Sequence, residues 1–146
     1  MSTSFVEYRG RGFWSWDGYL EHVLALLADR IGESPNHRWL AELRDHWRAQ
    51  SSGAFRGWIH LNLDEFLTNE ERREIVLTLL AEVLSWPSLT REAQETARLI
   101  EALLRGQLST DASSKTDYMV SGPHPYKWSI NEQTVEEQDQ SDERKV

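Results

Sequence analysis

The sequence predicts an all-α fold, a compact bundle of about four helices with an extended N-terminal segment and an extended-to-disordered C-terminal tail. Apolar residues recur at three- and four-residue spacing in four separate stretches, which is typical of amphipathic helices. Capping residues and helix-stopping residues fall between these stretches. The apolar periodicity ends near Leu108. A length of 146 residues suits one domain with a single core.

The first two helices carry the strongest pattern. We expect one helix over about residues 16–31, ending at Gly32. We expect a second helix that Ser34 caps and Pro35 opens, with its end at residues 51–53. The apolar stripes are Leu20, Val23, Leu24, Leu27 and Ile31 in the first helix, and Trp39, Leu40, Leu43 and Trp47 in the second.

Residues 54–63, "AFRGWIHLNL", alternate in polarity and therefore predict a short strand or an extended connector. One side would present Ile59, Leu61 and Leu63, and the other Trp58, His60 and Asn62. The following "NLDEFL" predicts a single helical turn, because Asn62 and Glu65 have capping-box spacing.

Two further helices complete the predicted bundle. Thr68 and Glu71 repeat the capping-box spacing before the third, which should stop at Trp86 because Pro87 follows. Thr90 is the expected cap of the fourth helix, which should end before residue 106. The apolar positions are Ile75, Val76, Leu79, Leu80, Val83 and Leu84, then Ala93, Ala97, Ile100, Leu103 and Leu104.

The chain divides into three predicted parts. Residues 1–107 form the helical domain. Residues 108–130 are too apolar for a free tail, so we expect an extended segment packed on that domain. Residues 131–146, "NEQTVEEQDQSDERKV", are acidic and nearly devoid of apolar side chains, which is typical of disorder.

Composition excludes several classes of function. A net charge of −8 disfavours nucleic-acid binding and anionic membranes, which both select for lysine and arginine, and favours a basic protein partner. The absence of cysteine excludes disulfides, thiolate nucleophiles and cysteine-based zinc sites. No secretory signal and no membrane-spanning run is visible, so we expect a cytoplasmic protein.

No residue pattern indicates catalysis, a cofactor or a metal. The histidines at 22, 37, 46, 60 and 124 include no i, i+4 pair. The carboxylate pairs Asp64-Glu65 and Glu70-Glu71 stand at predicted helix starts, where acids complement the helix dipole. No nucleophile elbow, phosphate-binding loop or dinucleotide fingerprint occurs. We therefore expect a protein that is not an enzyme.

The stretch "EYRGRGFW", residues 7–14, has two interpretations. Arg9 and Arg11 could clamp a phosphate or carboxylate, with neighbouring aromatic rings as stacking platforms. Alternatively, the glycines permit a turn, the aromatic residues dock on the bundle and acids of neighbouring helices hold both arginines. We favour the structural interpretation, because an acidic chain offers many internal partners for two arginines.

Three blocks, "EYRGRGFW", "WLAELRDHW" and "LDEFLTNEER", carry a family resemblance. In this order they resemble immunity proteins of bacterial polymorphic-toxin and contact-dependent competition systems, over about residues 5–106. Such a resemblance implies a helical binding protein that neutralises a toxin domain encoded nearby. It implies no particular interface residue.

The connection between the second and third predicted helices is the region least explained by core formation, and it supplies the candidate interface. Its aromatic and acidic side chains suit a partner with a basic active-site surface, such as a toxin that acts on an anionic substrate. Two alternatives stay open: a regulatory adaptor, or a small nucleic-acid-binding module using Arg9, Arg11 and Arg56. The candidate partner-binding residues are Trp58, His60, Asp64, Glu65, Glu70 and Glu71.

Overall fold

A computed structural model describes residues 2–108 of the chain. The described part is mostly helical, with 57% of its residues in helices, but it is not purely α, because the N-terminal segment forms a two-stranded antiparallel sheet. The predicted tail at 131–146, and the predicted extended segment at 108–130 apart from Leu108, lie outside the described residues. The elements are β1 (Thr3–Tyr8), β2 (Arg11–Trp16), α1 (Asp17–Ile31), α2 (Arg38–Gln50), α3 (Leu63–Phe66), α4 (Glu70–Leu84) and α5 (Arg91–Leu104).

The N-terminal hairpin corrects the all-α prediction. Its strands pair in register from Thr3 opposite Trp16 to Tyr8 opposite Arg11. Arg9 and Gly10 join them with φ values of 52° and 80°. Two consecutive left-handed residues are typical of the tight hairpin turn that matches strand twist, so Gly10 does permit the turn, as expected.

Gly12 explains why the second strand approaches the first so closely. A Cβ atom at this position would stand 2.1 Å from the Val6 carbonyl oxygen and 2.7 Å from the Phe5 ring. The Phe5 ring meets Trp14 edge to face, with 5.3 Å between ring centroids. The second glycine of "RGRG" thus makes room for neighbouring atoms, whereas the first provides a turn conformation.

The long helices follow their apolar periodicity. Helix α1 ends where predicted, because Gly32 adopts a φ of 79° and its N–H donates to the Ala28 carbonyl. Thr90 caps α5 as predicted, its hydroxyl accepting from the Ala93 N–H at 3.1 Å. Helix α1 packs against α2, α4 and α5, while the hairpin packs on α1, α3 and α5. Fully buried core side chains are Phe13, Leu20, Leu24, Leu27, Leu43, Trp47, Leu80, Ile100 and Leu104.

Helix α2 begins later than predicted. It starts at Arg38, not at Pro35, so Ser34 does not cap it. Arg44 reaches back from α2 and donates to the carbonyl oxygens of Gly32 at 2.8 Å and Glu33 at 3.1 Å. These bonds hold the incoming loop outside the helix.

Two predicted caps are also corrected. Asn69, not Thr68, caps α4, since its side-chain oxygen accepts from the Arg72 N–H at 2.9 Å. Before the single turn α3, which is confirmed, Asn62 has a left-handed φ of 56° and makes no side-chain cap. Its amide donates instead to the Glu65 carboxylate at 2.7 Å.

Candidate functional site

Residues 54–62, called the connector below, link α2 to α3 without forming a strand. They begin with a turn in which the Trp58 N–H donates to the Phe55 carbonyl at 2.7 Å, and Gly57 has a φ of 85°. The predicted alternation is confirmed, because Ile59 and Leu61 are buried whereas Trp58 and His60 are exposed. Residues 54–57 form turns and residues 58–62 have no regular structure, so the connector interpretation is correct in this coarser sense and the strand interpretation is wrong.

The connector backbone finds its hydrogen-bond partners in side chains of α2. The His60 N–H donates to Gln50 Oε1 at 2.8 Å, and the His60 carbonyl lies 2.8 Å from His46 Nε2. Trp47 Nε1 donates to the Leu61 carbonyl at 3.1 Å. These residues occupy the last two turns of α2, so one helix end fixes the second half of the connector.

Asp17 holds the first half of the connector against the hairpin. Its carboxylate accepts from the Gly57 N–H at 2.5 Å, the Ser2 hydroxyl at 2.5 Å and the Ser4 hydroxyl at 2.6 Å. The Ser4 hydroxyl oxygen also accepts from the Ile59 N–H at 3.1 Å. Asp17 is only 2% exposed and Ser4 only 3%, so the buried Ser4 hydroxyl would cost about 1–3 kcal/mol if it lost this partner, whereas Ser2 and Gly57 are partly or fully exposed.

Sequence reasoning missed Asp17. An acid at the first residue of a helix is ordinarily explained by the helix dipole, and nothing local indicates a partner forty residues away. In the fold, Asp17 is buried where the start of α1 meets the connector and the start of the hairpin, and its carboxylate links these three segments.

The connector presents aromatic side chains to solvent. Trp58 is 72% exposed and Phe55 is 40% exposed. Phe55 was not predicted as an interface residue, although it lies within the alternating segment 54–63 and stands beside an Arg-Gly pair. Burying Trp58 against a partner would remove a large apolar area from water, so this side chain is a strong candidate for an interface anchor.

All six predicted partner-binding residues are exposed within residues 58–71. They are not all brought together: Trp58 follows Gly57, which Asp17 holds at the open end of the hairpin, whereas Asp64 bonds to Arg9 at the hairpin turn. Together we call them the Trp58 surface: Trp58 and His60 in the connector, Asp64 and Glu65 in α3, and Glu70 and Glu71 in the first turn of α4.

The carboxylates of the Trp58 surface differ in how they are held. Asp64 accepts from the backbone N–H of Arg9 at 3.0 Å, which ties α3 to the hairpin turn. Glu70 pairs with Arg73, and the hydrogen bond that the guanidinium donates to this glutamate is the main cause that raises the pKa of Arg73. Within residues 2–108, Asp64, Glu65 and Glu71 form no ion pair with an arginine, so their charges face solvent uncompensated.

The three arginines of the alternative nucleic-acid interpretation do not form one cluster. Arg56 pairs with Glu21 of α1 at 3.3 Å, near the end of the hairpin where the strands begin and finish. Arg9 and Arg11 flank the turn at the other end, roughly 20 Å away for six residues of strand.

The predicted acidic partners of Arg9 and Arg11 are also corrected. The Arg9 guanidinium lies over the Tyr8 ring, 5.0 Å from its centroid. Arg11 donates to the Leu108 carbonyl at 2.9 Å. The aromatic docking is confirmed for Phe13, which is fully buried.

In the described part of the chain, no group of three or more histidine, aspartate and glutamate side chains could hold a metal ion. Nor is any helix of residues 2–108 long and apolar enough to cross a membrane. Comparison with known proteins gives no relative: no family model, curated protein or solved structure matches the chain.

Proposed function

We propose that this protein binds another protein through the Trp58 surface, and that the partner is a toxin domain which it neutralises by direct occlusion. The observation that carries the proposal is a tryptophan 72% exposed on a segment whose backbone is hydrogen-bonded on both sides. A surface fixed before binding loses less conformational entropy on association, which favours affinity.

Charge supports a basic partner. Asp64, Glu65 and Glu71 add uncompensated negative charge beside Trp58 in the chain, and the whole protein carries −8. Complementary charge raises the association rate, and burial of the aromatic anchor slows dissociation. A toxin that cleaves or modifies nucleic acid needs a basic surface for its substrate, so an acidic inhibitor would cover it. The resemblance of residues 5–106 to immunity proteins points to the same class of partner.

The test begins with the full chain, tagged and used to capture proteins from its native host. The captured protein is identified, and its gene is expressed alone and together with this chain. The proposal expects growth arrest by the partner alone, relieved by co-expression. A harmless partner would instead indicate a regulatory adaptor, and recovery of nucleic acid would indicate the second alternative.

Two tryptophan variants then test the surface. Trp58→Ala should weaken binding by at least about 2 kcal/mol, roughly thirtyfold, without changing the melting temperature. Trp86→Ala is the matched control, because Trp86 is 50% exposed but lies at the α4–α5 joint, away from the Trp58 surface in sequence. If Trp86→Ala lost binding and Trp58→Ala did not, the interface would lie elsewhere.

A further inference from the structure

A cleft of about 230 Å³ opens where the hairpin turn meets the C-terminal end of α5. Four arginines contribute to its lining: Arg9 and Arg11 from the hairpin, Arg73 from α4, and Arg105 after α5. We call it the arginine cleft. The larger cleft beside Trp86, in contrast, is lined by Arg30 together with the acids Asp29 and Glu82.

The positive charge of the arginine cleft is only partly compensated. Arg73 pairs with Glu70 and Glu74, and Arg105 lies 3.5 Å from Glu101. Arg9 and Arg11, in contrast, form no ion pair with any carboxylate of residues 2–108. Asp64 lies near the turn, but its hydrogen bonds are to the Arg9 backbone N–H.

Two polar groups of the lining are buried without a partner. The Tyr8 hydroxyl and the Arg73 Nε atom have no hydrogen bond, although Tyr8 as a whole is only 2% exposed. Buried donors in folded proteins are nearly always paired, so each exception calls for an explanation. An acceptor oxygen that reached these atoms from the cleft would satisfy them.

We propose that the arginine cleft is a binding site for a phosphate group. A phosphate monoester carries a charge near −2 at neutral pH and three strong acceptor oxygens. That charge matches the two guanidinium groups without carboxylate partners, and the oxygens match the hydroxyl and guanidinium donors that the lining residues carry. A carboxylate would supply one charge and two oxygens. The cleft volume suits inorganic phosphate or a small phosphomonoester.

The phosphate site differs from the toxin-binding proposal in its ligand and in the experiment that tests it, although Glu70 of the Trp58 surface pairs with Arg73 of the cleft.

The test uses the full chain titrated with sodium phosphate, at an ionic strength kept constant with sodium chloride. The expected result is saturable binding by calorimetry, accompanied by a rise in melting temperature that follows the occupancy of the site.

Three variants locate the phosphate. Arg11→Met should weaken phosphate binding about tenfold, because it removes one charge-assisted donor. Tyr8→Phe should weaken binding severalfold while leaving the phosphate-free melting temperature unchanged or higher, because it removes an unpaired buried hydroxyl. Arg30→Met is the control, since Arg30 pairs with Glu82 outside the arginine cleft.

Tyr8→Phe keeps the test decisive even if Arg11→Met fails to fold after losing the bond to Leu108. The proposal is overturned by non-saturable stabilisation that phosphate and chloride share, or by phosphate binding that Tyr8→Phe leaves unchanged. A comparison of inorganic phosphate with O-phosphoserine and O-phosphotyrosine then identifies the source. Tighter binding of inorganic phosphate indicates the free ion, and tighter binding of a phosphoamino acid indicates phosphate carried on a larger ligand.

Discussion

The connector and the N-terminal hairpin are both non-helical, yet different hydrogen bonds hold them. The hairpin strands pair backbone to backbone from Thr3 to Trp16. The connector backbone bonds to side chains of Asp17, Ser4, Gln50, Trp47 and His46. A single substitution can therefore remove a hydrogen bond that holds the connector. The backbone bonds of the hairpin survive most substitutions and are lost only when a new side chain keeps the strands apart.

This difference bears on the proposed function, because the more substitution-sensitive segment carries Trp58. A segment held by side chains from three elements can be rigid without belonging to a sheet. It also leaves its outward side chains free to meet a partner, which a strand inside a larger sheet could do on only one face. We therefore expect stability and partner affinity to be linked through the connector.

Asp17→Ala should produce the largest effect on the connector. The substitution leaves the Gly57 N–H and two serine hydroxyls without their shared acceptor, and since only Ser4 among these donors is buried, we expect the free energy of unfolding to fall by about 2–4 kcal/mol. Urea unfolding measures the loss. Asp29→Ala is the control, because Asp29 is an exposed aspartate of the same helix and should change stability by less than about 0.5 kcal/mol. Equal effects of the two variants would show that the buried network contributes nothing.

Gly12→Ala should damage the hairpin next most strongly. The added Cβ atom would meet the Val6 carbonyl at 2.1 Å, and a backbone atom cannot yield as a flexible side chain can. We expect a loss of about 1–3 kcal/mol, measured by thermal unfolding. Gly18→Ala is the matched control, since a Cβ atom there meets nothing within 4 Å and the helix should gain about 0.5–1 kcal/mol. A neutral Gly12→Ala would mean that the strands are not so closely paired.

The four long helices could be predicted from the sequence because their information is local. Apolar spacing and a cap such as Thr90 lie within a few residues of the structure they specify. The exposure of Trp58 and His60 was likewise readable from the alternation of residues 54–63.

The remaining features depend on contacts distant in sequence. The strand pairing was missed because "EYRGRGFW" lacks the usual Asn-Gly or Asp-Gly turn and places Arg9 in a left-handed conformation. The convergence of Arg73 and Arg105 on the hairpin arginines requires the tertiary packing of α4 and α5. Local sequence patterns cannot predict that side chains so distant in sequence line one cleft.

Gln50→Met should have the smallest effect on stability and the most informative one on the connector. The variant keeps the side-chain volume but removes the acceptor of the His60 N–H, so the protein should lose about 1–2 kcal/mol. Hydrogen exchange of the His60 amide should accelerate more than that of amides in α5. Gln94→Met, a substitution of a partly exposed glutamine of α5, is the control.

Gln50→Met also tests whether partner binding depends on the connector. Gln50 is only 6% exposed and is therefore not a contact residue, so a weaker affinity of Gln50→Met for the partner would show that binding needs the connector held in place. Unchanged exchange at His60 would instead mean that burial of Ile59 and Leu61 alone fixes this segment.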